Sequence, residues 1–314
     1  MFYVQDKKKQ RTILFKQESM SVLQTTGLTK VYNKTLRAVD NLNLTIEKGN
    51  IYGILGPNGS GKTTTLGMAL GIIHPTSGSY TWFDEVPTAK ARQRVGAILE
   101  TPNFYPYMNA QKNLEIMAHI KHSDPKQIPG LIDLVGLTGR VDSPFTAYSL
   151  GMKQRLAIAG ALIGDPEVLI FDEPTNGLDP QGIVEVRNLL IEIGARGKTI
   201  LLASHIIDEV EKVCNHVAIL KYGDLIAAGS VAEILGGEPI IEVSAPNLQQ
   251  LKSVLSELNF VTDLKEDGPI LALKMTEETT ATDLNKVLFE KGIVLSHLHV
   301  RKKSLEAEFL ERTS

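Results

Sequence analysis

Gly56-Pro-Asn-Gly-Ser-Gly-Lys-Thr-Thr64 is the stretch on which the reading of this chain turns. It matches G-x-x-x-x-G-K-[ST] without a mismatch. The apolar run Ile51-Tyr-Gly-Ile-Leu55 before it reads as a buried strand, and residues 63–70 after it carry helix formers with no breaker beyond Gly67. Glycines let backbone N–H groups converge on an anion, and the N-terminus of the following helix adds a positive field. Lys62 is placed to reach the β- and γ-phosphates of a nucleotide, and Thr63 to hold Mg²⁺ through its hydroxyl. A chance glycine-rich loop would lack these flanks. The candidate nucleotide-binding residues are therefore Gly56, Pro57, Asn58, Gly59, Ser60, Gly61, Lys62, Thr63 and Thr64.

The remainder of the composition narrows the class. The chain has 314 residues, 43% hydrophobic and 22% charged, with a formal net charge of −3. That is ordinary for a globular protein, and no basic field argues for a nucleic-acid partner. The single cysteine, Cys214, rules out an internal disulfide framework and fits a reducing compartment. No run approaches the roughly 18 apolar residues of a membrane span, and no secretory signal is apparent. The expectation is a cytoplasmic protein. Residues 1–19, with Lys7, Lys8, Lys9 and Arg11 among polar neighbours, read as a disordered leader or a misassigned start. The alternative for that basic run is a weak contact with an anionic membrane.

Strand-like segments fall at residues 22–25, 38–46, 79–83 and 96–99, with Tyr32 between the first two and a helix-like stretch at 88–95. Asn109 suits the cap of a helix to about residue 121, and Gly136 closes another over 125–135. Ahead of them, Pro102, Phe104, Tyr105, Pro106 and Tyr107 form a loop that is a candidate contact surface. Ser149 caps a helix to about residue 163. Val168-Leu-Ile-Phe-Asp-Glu173 reads as a fully buried parallel strand with two carboxylates at its exit. A helix over 181–193, a buried strand over 199–203 and a hairpin through Tyr222-Gly-Asp224 follow. Alternating strands and helices predict a mainly parallel sheet with ligands at the strands' carboxyl ends. Gly236-Gly-Glu-Pro239 reads as a boundary. Beyond it the predicted order is β-α-β-β-α-β, the ferredoxin-like order, and then a helix from about Leu305. Thr280 and Asp283 suit a capping box. A regulatory or dimerisation module fits this part better than a second active site.

Asp172 and Glu173 emerge from a strand of the same predicted sheet as the phosphate loop, so they can divide the labour. Asp172 would orient Mg²⁺ through water, and Glu173 would orient and polarise an attacking water. The plainer reading is a pair of solvated turn residues, which the phosphate loop makes the weaker one. With these residues in place, the sequence resembles an ATP-binding-cassette ATPase, its motifs in the family's order over residues 20–236. The resemblance implies a P-loop NTPase α/β fold with antiparallel β and helical subdomains, to which residues 237–314 add a small α+β domain. It implies that Tyr32 stacks on adenine, that Asn176-Gly-Leu-Asp179 is the D-loop with Asp179 at the nucleotide, and that His205 is the switch histidine at the γ-phosphate. The family's Leu-Ser-Gly-Gly-Gln signature is here Tyr148-Ser-Leu-Gly-Met152. Ser149 and Gly151 survive, and they can offer a hydroxyl and backbone N–H groups to the γ-phosphate of the opposite subunit. Glu100 stands where the family has a glutamine, and a carboxylate there can still ligate Mg²⁺.

These departures, with Glu100-Thr-Pro-Asn-Phe-Tyr-Pro106 and the ending Ser304-Leu-Glu-Ala-Glu-Phe-Leu310, resemble the ATPases of bacitracin- and lantibiotic-type exporters. The implied cofactors are ATP and Mg²⁺. The implied partners are a second cassette, as an ATP-bound homodimer or pair, and separately encoded integral membrane permease subunits on whose cytoplasmic face the protein sits. The implied substrate is an antimicrobial peptide, drug or lipid-like molecule. A soluble cassette acting on ribosomes or DNA is the alternative, though such proteins usually carry two cassettes and a basic linker. A P-loop kinase or switch GTPase gives no reason for Ser149-Leu-Gly151 and His205 at their positions.

Overall fold

The computed structural model describes residues 20–99, 101–235, 240–276, 279–301 and 304–313. The chain opens with β1 (Ser21–Tyr32), β2 (Leu36–Glu47) and β3 (Ile51–Leu55), and the glycine loop then leads into α1 (Lys62–Ala69). β4 (Ser77–Trp82), α2 (Ala89–Gln93) and β5 (Val95–Ile98) come next, before the helices α3 (Ala110–Ile120), α4 (Ile128–Leu134) and α5 (Leu150–Leu162). Each starts where local chemistry allows. Thr88, Asn109 and Ser149 have extended backbones, and their side chains accept from the N–H of Ala91, Lys112 and Met152, which are otherwise orphan donors of the first turn. The sequence then alternates through β6 (Val168–Asp172), α6 (Pro180–Ala195), β7 (Thr199–Ser204), α7 (Ile207–Val213), β8 (His216–Lys221), β9 (Asp224–Ser230) and α8 (Val231–Leu235).

The central sheet runs β5-β6-β7-β3-β8-β9, parallel except for the β8–β9 pair. Both of its faces are covered, and successive side chains of each strand therefore serve different cores. Val168 and Ile170 of β6, Leu201 and Ala203 of β7, and Ala218 and Leu220 of β8 point to one side, where they meet α1 and the three-stranded antiparallel sheet β2-β1-β4. Leu169 and Phe171, Ile200 and Leu202, and Val217 and Ile219 point to the other, into a core shared with α3, α4, α5 and α6. That division is why these strands are apolar through their middle positions and show no alternation there.

The last part of the chain holds β10 (Ile240–Ser244), α9 (Leu248–Ser256), β11 (Val261–Asp267), β12 (Ile270–Met275), α10 (Ala281–Glu290), β13 (His297–Arg301) and α11 (Leu305–Thr313). Its antiparallel sheet has the order β11-β12-β10-β13 and a core of its own that includes Val243, Leu251, Leu273 and Leu284. Thr280 and Asp283 form the expected capping box at the start of α10. The sequence reading does not place α7 and α8, and three further details differ from it. β1 continues through Tyr32, because Tyr32 pairs with Leu36 of β2. β13 starts later than residue 293, because Gly292 (φ +78°) and the bond from Ile293 N–H to Leu288 O first close the end of α10. And α11 leaves the last module. Leu305 is fully buried in the same core as Val210, Val213 and Ile234, with its N–H on Glu211 Oε2 at 2.9 Å. The expected boundary at 236–239 and the leader at 1–19 lie outside the described residues.

Candidate functional site

The loop between β3 and α1 closes on itself as an anion cradle. Gly59 and Gly61 take φ of +82° and +105°, and a Cβ on Gly61 would strike the carbonyl of Ala38, so the tightest point of the loop excludes any larger residue. Lys62 is 6% exposed, and its ammonium donates to Gly56 O at 2.7 Å and Pro57 O at 3.3 Å while Glu173 Oε1 lies 3.8 Å away. Burial pulls the Lys62 ammonium below its ordinary value, and Glu173 and Asp172 oppose that shift. Ser60 is buried too, and its Oγ has no hydrogen-bond partner among the described residues.

At the far side of this cradle, Thr63 Oγ1 donates to Asp172 Oδ2 at 2.7 Å. A hydroxyl beside a carboxylate is a hard oxygen set that suits Mg²⁺, and among the described residues no cluster of three His, Cys, Asp or Glu forms a closed cage. That fits an ion which keeps waters and takes further oxygens from a phosphate. Glu173, the next residue, has φ of +49°, a conformation that costs a non-glycine residue about 1–2 kcal/mol. Its N–H donates to Ala203 O at 2.9 Å, which ties the turn to β7. Glu173 Oε2 lies 2.8 Å from His205 Nδ1, and since a carboxylate only accepts, that ring nitrogen carries its proton.

Two openings share Thr63 and Glu173 in their walls. The first, of about 500 Å³, runs from Asn58, Gly59, Gly61, Lys62 and Thr64 to Tyr32 at the end of β1 and Leu36, Arg37 and Ala38 at the start of β2, with Tyr222 on its rim. The second, of about 410 Å³, is lined by Asp172, Asn176, Thr101, Pro102, Leu150 and Gln154. Gly56, Pro57 and Ser60 form the loop's backbone and floor. Ser149, exposed at the cap of α5, and Gly151 line neither opening of the single chain. Asp179 caps α6 through Gly182 N–H at 3.0 Å and lines neither, so within its stretch Asn176 is the residue that reaches the site. Glu100 lies outside the described residues, and its neighbours Thr101 and Pro102 line the second opening. Sequence reasoning passed over Tyr222, which reads locally as the tip of a hairpin, and Gln154, which reads as one more position of an amphipathic helix.

Comparison with known proteins agrees with this geometry. A family model described as ABC transporter matches residues 39–176. The bacitracin transport ATP-binding protein BcrA of Bacillus licheniformis is 38% identical over 308 residues, covering 93% of this chain and 97% of that one. Nod factor export ATP-binding protein I of Cupriavidus metallidurans is 37% identical over 303 residues, covering 93% and 97%. Among solved structures, cbiO1 of Clostridium perfringens, part of the ABC transporter complex cbiONQ, is 30% identical with a TM-score of 0.62, over 76% of this chain and 95% of that one. With the nucleotide cradle, the carboxylate pair and the sheet order all in place, the chain belongs to the ATP-binding subunits of ABC transporters.

Proposed function

We propose that this ATPase energises a separately encoded membrane permease and that the transported molecule is exported, as an antimicrobial peptide, drug or lipid-like substrate. The observation that carries the ATPase chemistry is the cluster around the wall that the two openings share, where Thr63 bonds Asp172 and Glu173 lies beside both Lys62 and His205, the last of which lines neither opening. Lys62 binds the β- and γ-phosphates of ATP, exchanging the two loop carbonyls it now touches for phosphate oxygens. Thr63 and Asp172 hold Mg²⁺, which when bound neutralises charge on the triphosphate. Glu173 accepts a hydrogen bond from the attacking water and orients it, and His205 keeps that carboxylate turned towards the phosphate end. Tyr32 takes the adenine. Ser149 and Gly151 complete the site of a second copy, which is consistent with their absence from the walls of the single chain's own openings.

Export is supported by the relative whose name carries Nod factor export, and a peptide-type substrate by the one named for bacitracin transport. Among the described residues no helix is long and apolar enough to cross a membrane. The permease contact is the loop at Phe104 to Tyr107, where Tyr105 and Tyr107 are exposed with ring centroids 6.2 Å apart. In this reading the protein sits on the cytoplasmic face of the membrane, held there by the permease. Glu173→Gln tests the reading. It should bind ATP as the wild type does, hydrolyse it at least ~100-fold more slowly, and co-purify with a polytopic membrane protein as a dimer in Mg-ATP. Hydrolysis at the wild-type rate would remove Glu173 from the mechanism, and a trapped dimer that retains no membrane protein would count against the permease.

A further inference from the structure

The β8–β9 turn contributes a residue to the nucleotide opening that the ATPase chemistry leaves without a task. Tyr222 is 76% exposed, has φ of +51°, and lines the same opening as Tyr32, Lys62 and Thr64. A left-handed backbone under a bulky side chain is uncommon and persists only where the surroundings hold it. Here they do. Gly223 N–H donates to Ser60 O at 3.1 Å, and Gly223 O accepts from Asp40 N–H at 2.9 Å. The turn is thus clamped between the phosphate loop and β2. At Gly223 a Cβ would come within 3.2 Å of the Ala38 backbone, so this contact is close on both sides. A solvated hairpin tip needs none of these restraints.

The opening carries a second aromatic with the same dressing. Lys30 Nζ lies 5.1 Å from the centroid of the Tyr32 ring, and Lys221 Nζ lies 5.8 Å from that of Tyr222. Two aromatic faces, each accompanied by a cation, therefore border one opening whose floor is a phosphate cradle. Aromatic faces bind the π-face of a base regardless of its hydrogen-bonding edge, and nearby ammonium groups favour an anionic ligand.

Resting on the nucleotide reading of the site, we infer that Tyr222 contacts the base and ribose of the bound nucleotide and forms a second aromatic wall with Tyr32. The phosphates are then held by the loop, and the organic half by one ring from the end of β1 and one from the β8–β9 turn. β2, which pairs with β1 at Tyr32, is linked to that turn through the Asp40 N–H to Gly223 O bond, so nucleotide engagement fastens the two together.

The test uses the full chain and two ligands, ADP and inorganic pyrophosphate, titrated calorimetrically. Tyr222→Asn removes the ring but tolerates the left-handed backbone, so the turn survives. It should weaken ADP at least ~5-fold while pyrophosphate changes less than ~2-fold, and Tyr222→Phe should bind ADP as the wild type does. Unchanged ADP affinity in Tyr222→Asn overturns the proposal. So does an equal loss for both ligands, which would mean that the turn only braces the phosphate loop. Lys62→Ala separates this from the parent reading, since it should weaken both ligands. If it weakens neither, the loop is not the phosphate site, whatever Tyr222 does.

Discussion

Asn113 is 2% exposed, and its amide holds the exposed aromatic loop to the rest of the molecule. Tyr105 N–H donates to Asn113 Oδ1 at 2.9 Å, and Asn113 Nδ2 donates to Asn109 O at 3.1 Å and Tyr105 O at 3.2 Å. One side chain in α3 thus takes up the Tyr105 N–H and adds a second bond to two carbonyls that Met108 N–H and Asn113 N–H already reach. Removing it leaves the part-buried Tyr105 N–H without its partner, so Asn113→Ala should cost ~1 kcal/mol or more. Asn113→Asp, which keeps the acceptor, should cost less. Urea unfolding of the three proteins measures this, and permease-stimulated hydrolysis should fall more in the alanine variant than basal hydrolysis does. Equal stability of wild type and alanine would show that water replaces the amide. Glu173 makes the complementary case. Its strained backbone is held by Ala203 O, and its carboxylate by His205. A residue held in a strained backbone conformation is here one whose chemistry the site requires.

At the scale of elements, the start of β6 is pinned by Glu167. Its carboxylate accepts from Arg94 Nε at 2.7 Å and from Lys48 Nζ at 2.9 Å, joining the end of α2 to the turn before β3. Those two bonds, that of Arg94 first, hold the carboxyl down from 4.5 to about 2. A depressed pKa gives stability that is complete above the unfolded value of 4.5 and is lost as the pH falls towards 2. Both partners are partly exposed, so the contribution is below ~1 kcal/mol. Glu167→Gln should therefore lower the urea midpoint slightly at neutral pH, and its gap from wild type should narrow at about pH 3. A gap that stays constant with pH would mean that the amide's shape, rather than the charge, is at fault. The capped helices belong to this scale as well. Asn109, Ser149 and Thr280 each satisfy an N–H in the first turn of the helix that follows, whatever lies beyond it.

On the scale of the whole molecule, α11 joins the end of the chain to the helix that follows His205. Leu305 is fully buried against the cassette core, and Glu211 of α7 receives its N–H. Leu305→Ala should cost ~2–5 kcal/mol, and the melting transition it lowers should be the one that ATP raises. Leu284→Ala, in the separate core of the last module, should lower a transition that ATP does not shift directly. If Leu305→Ala leaves the ATP-sensitive transition in place, α11 does not support the cassette. The two faces of the central sheet explain this architecture. One is closed by β2-β1-β4 and α1, while the other needs several helices, of which α11 is one.

What could be read from the sequence alone was whatever is encoded within a few neighbouring residues. The glycine spacing before Lys62, the apolar strand that ends in Asp172 and Glu173, and the Ser, Thr and Asn caps all act over less than about ten residues. The period of the later strands likewise sufficed for the β-α-β-β-α-β order. Strand order was not legible, because the buried strands of the central sheet are apolar through their middle positions and carry no mark of their neighbours. Only the folded sheet puts β7 beside β6, which brings His205 within 2.8 Å of Glu173, and puts β8 beside β3, which carries Tyr222 to the phosphate loop. The same holds for Leu305, whose local pattern fits a helix in either part of the chain. Its place in the cassette core was settled by which apolar face remained to be covered once the sheet had closed.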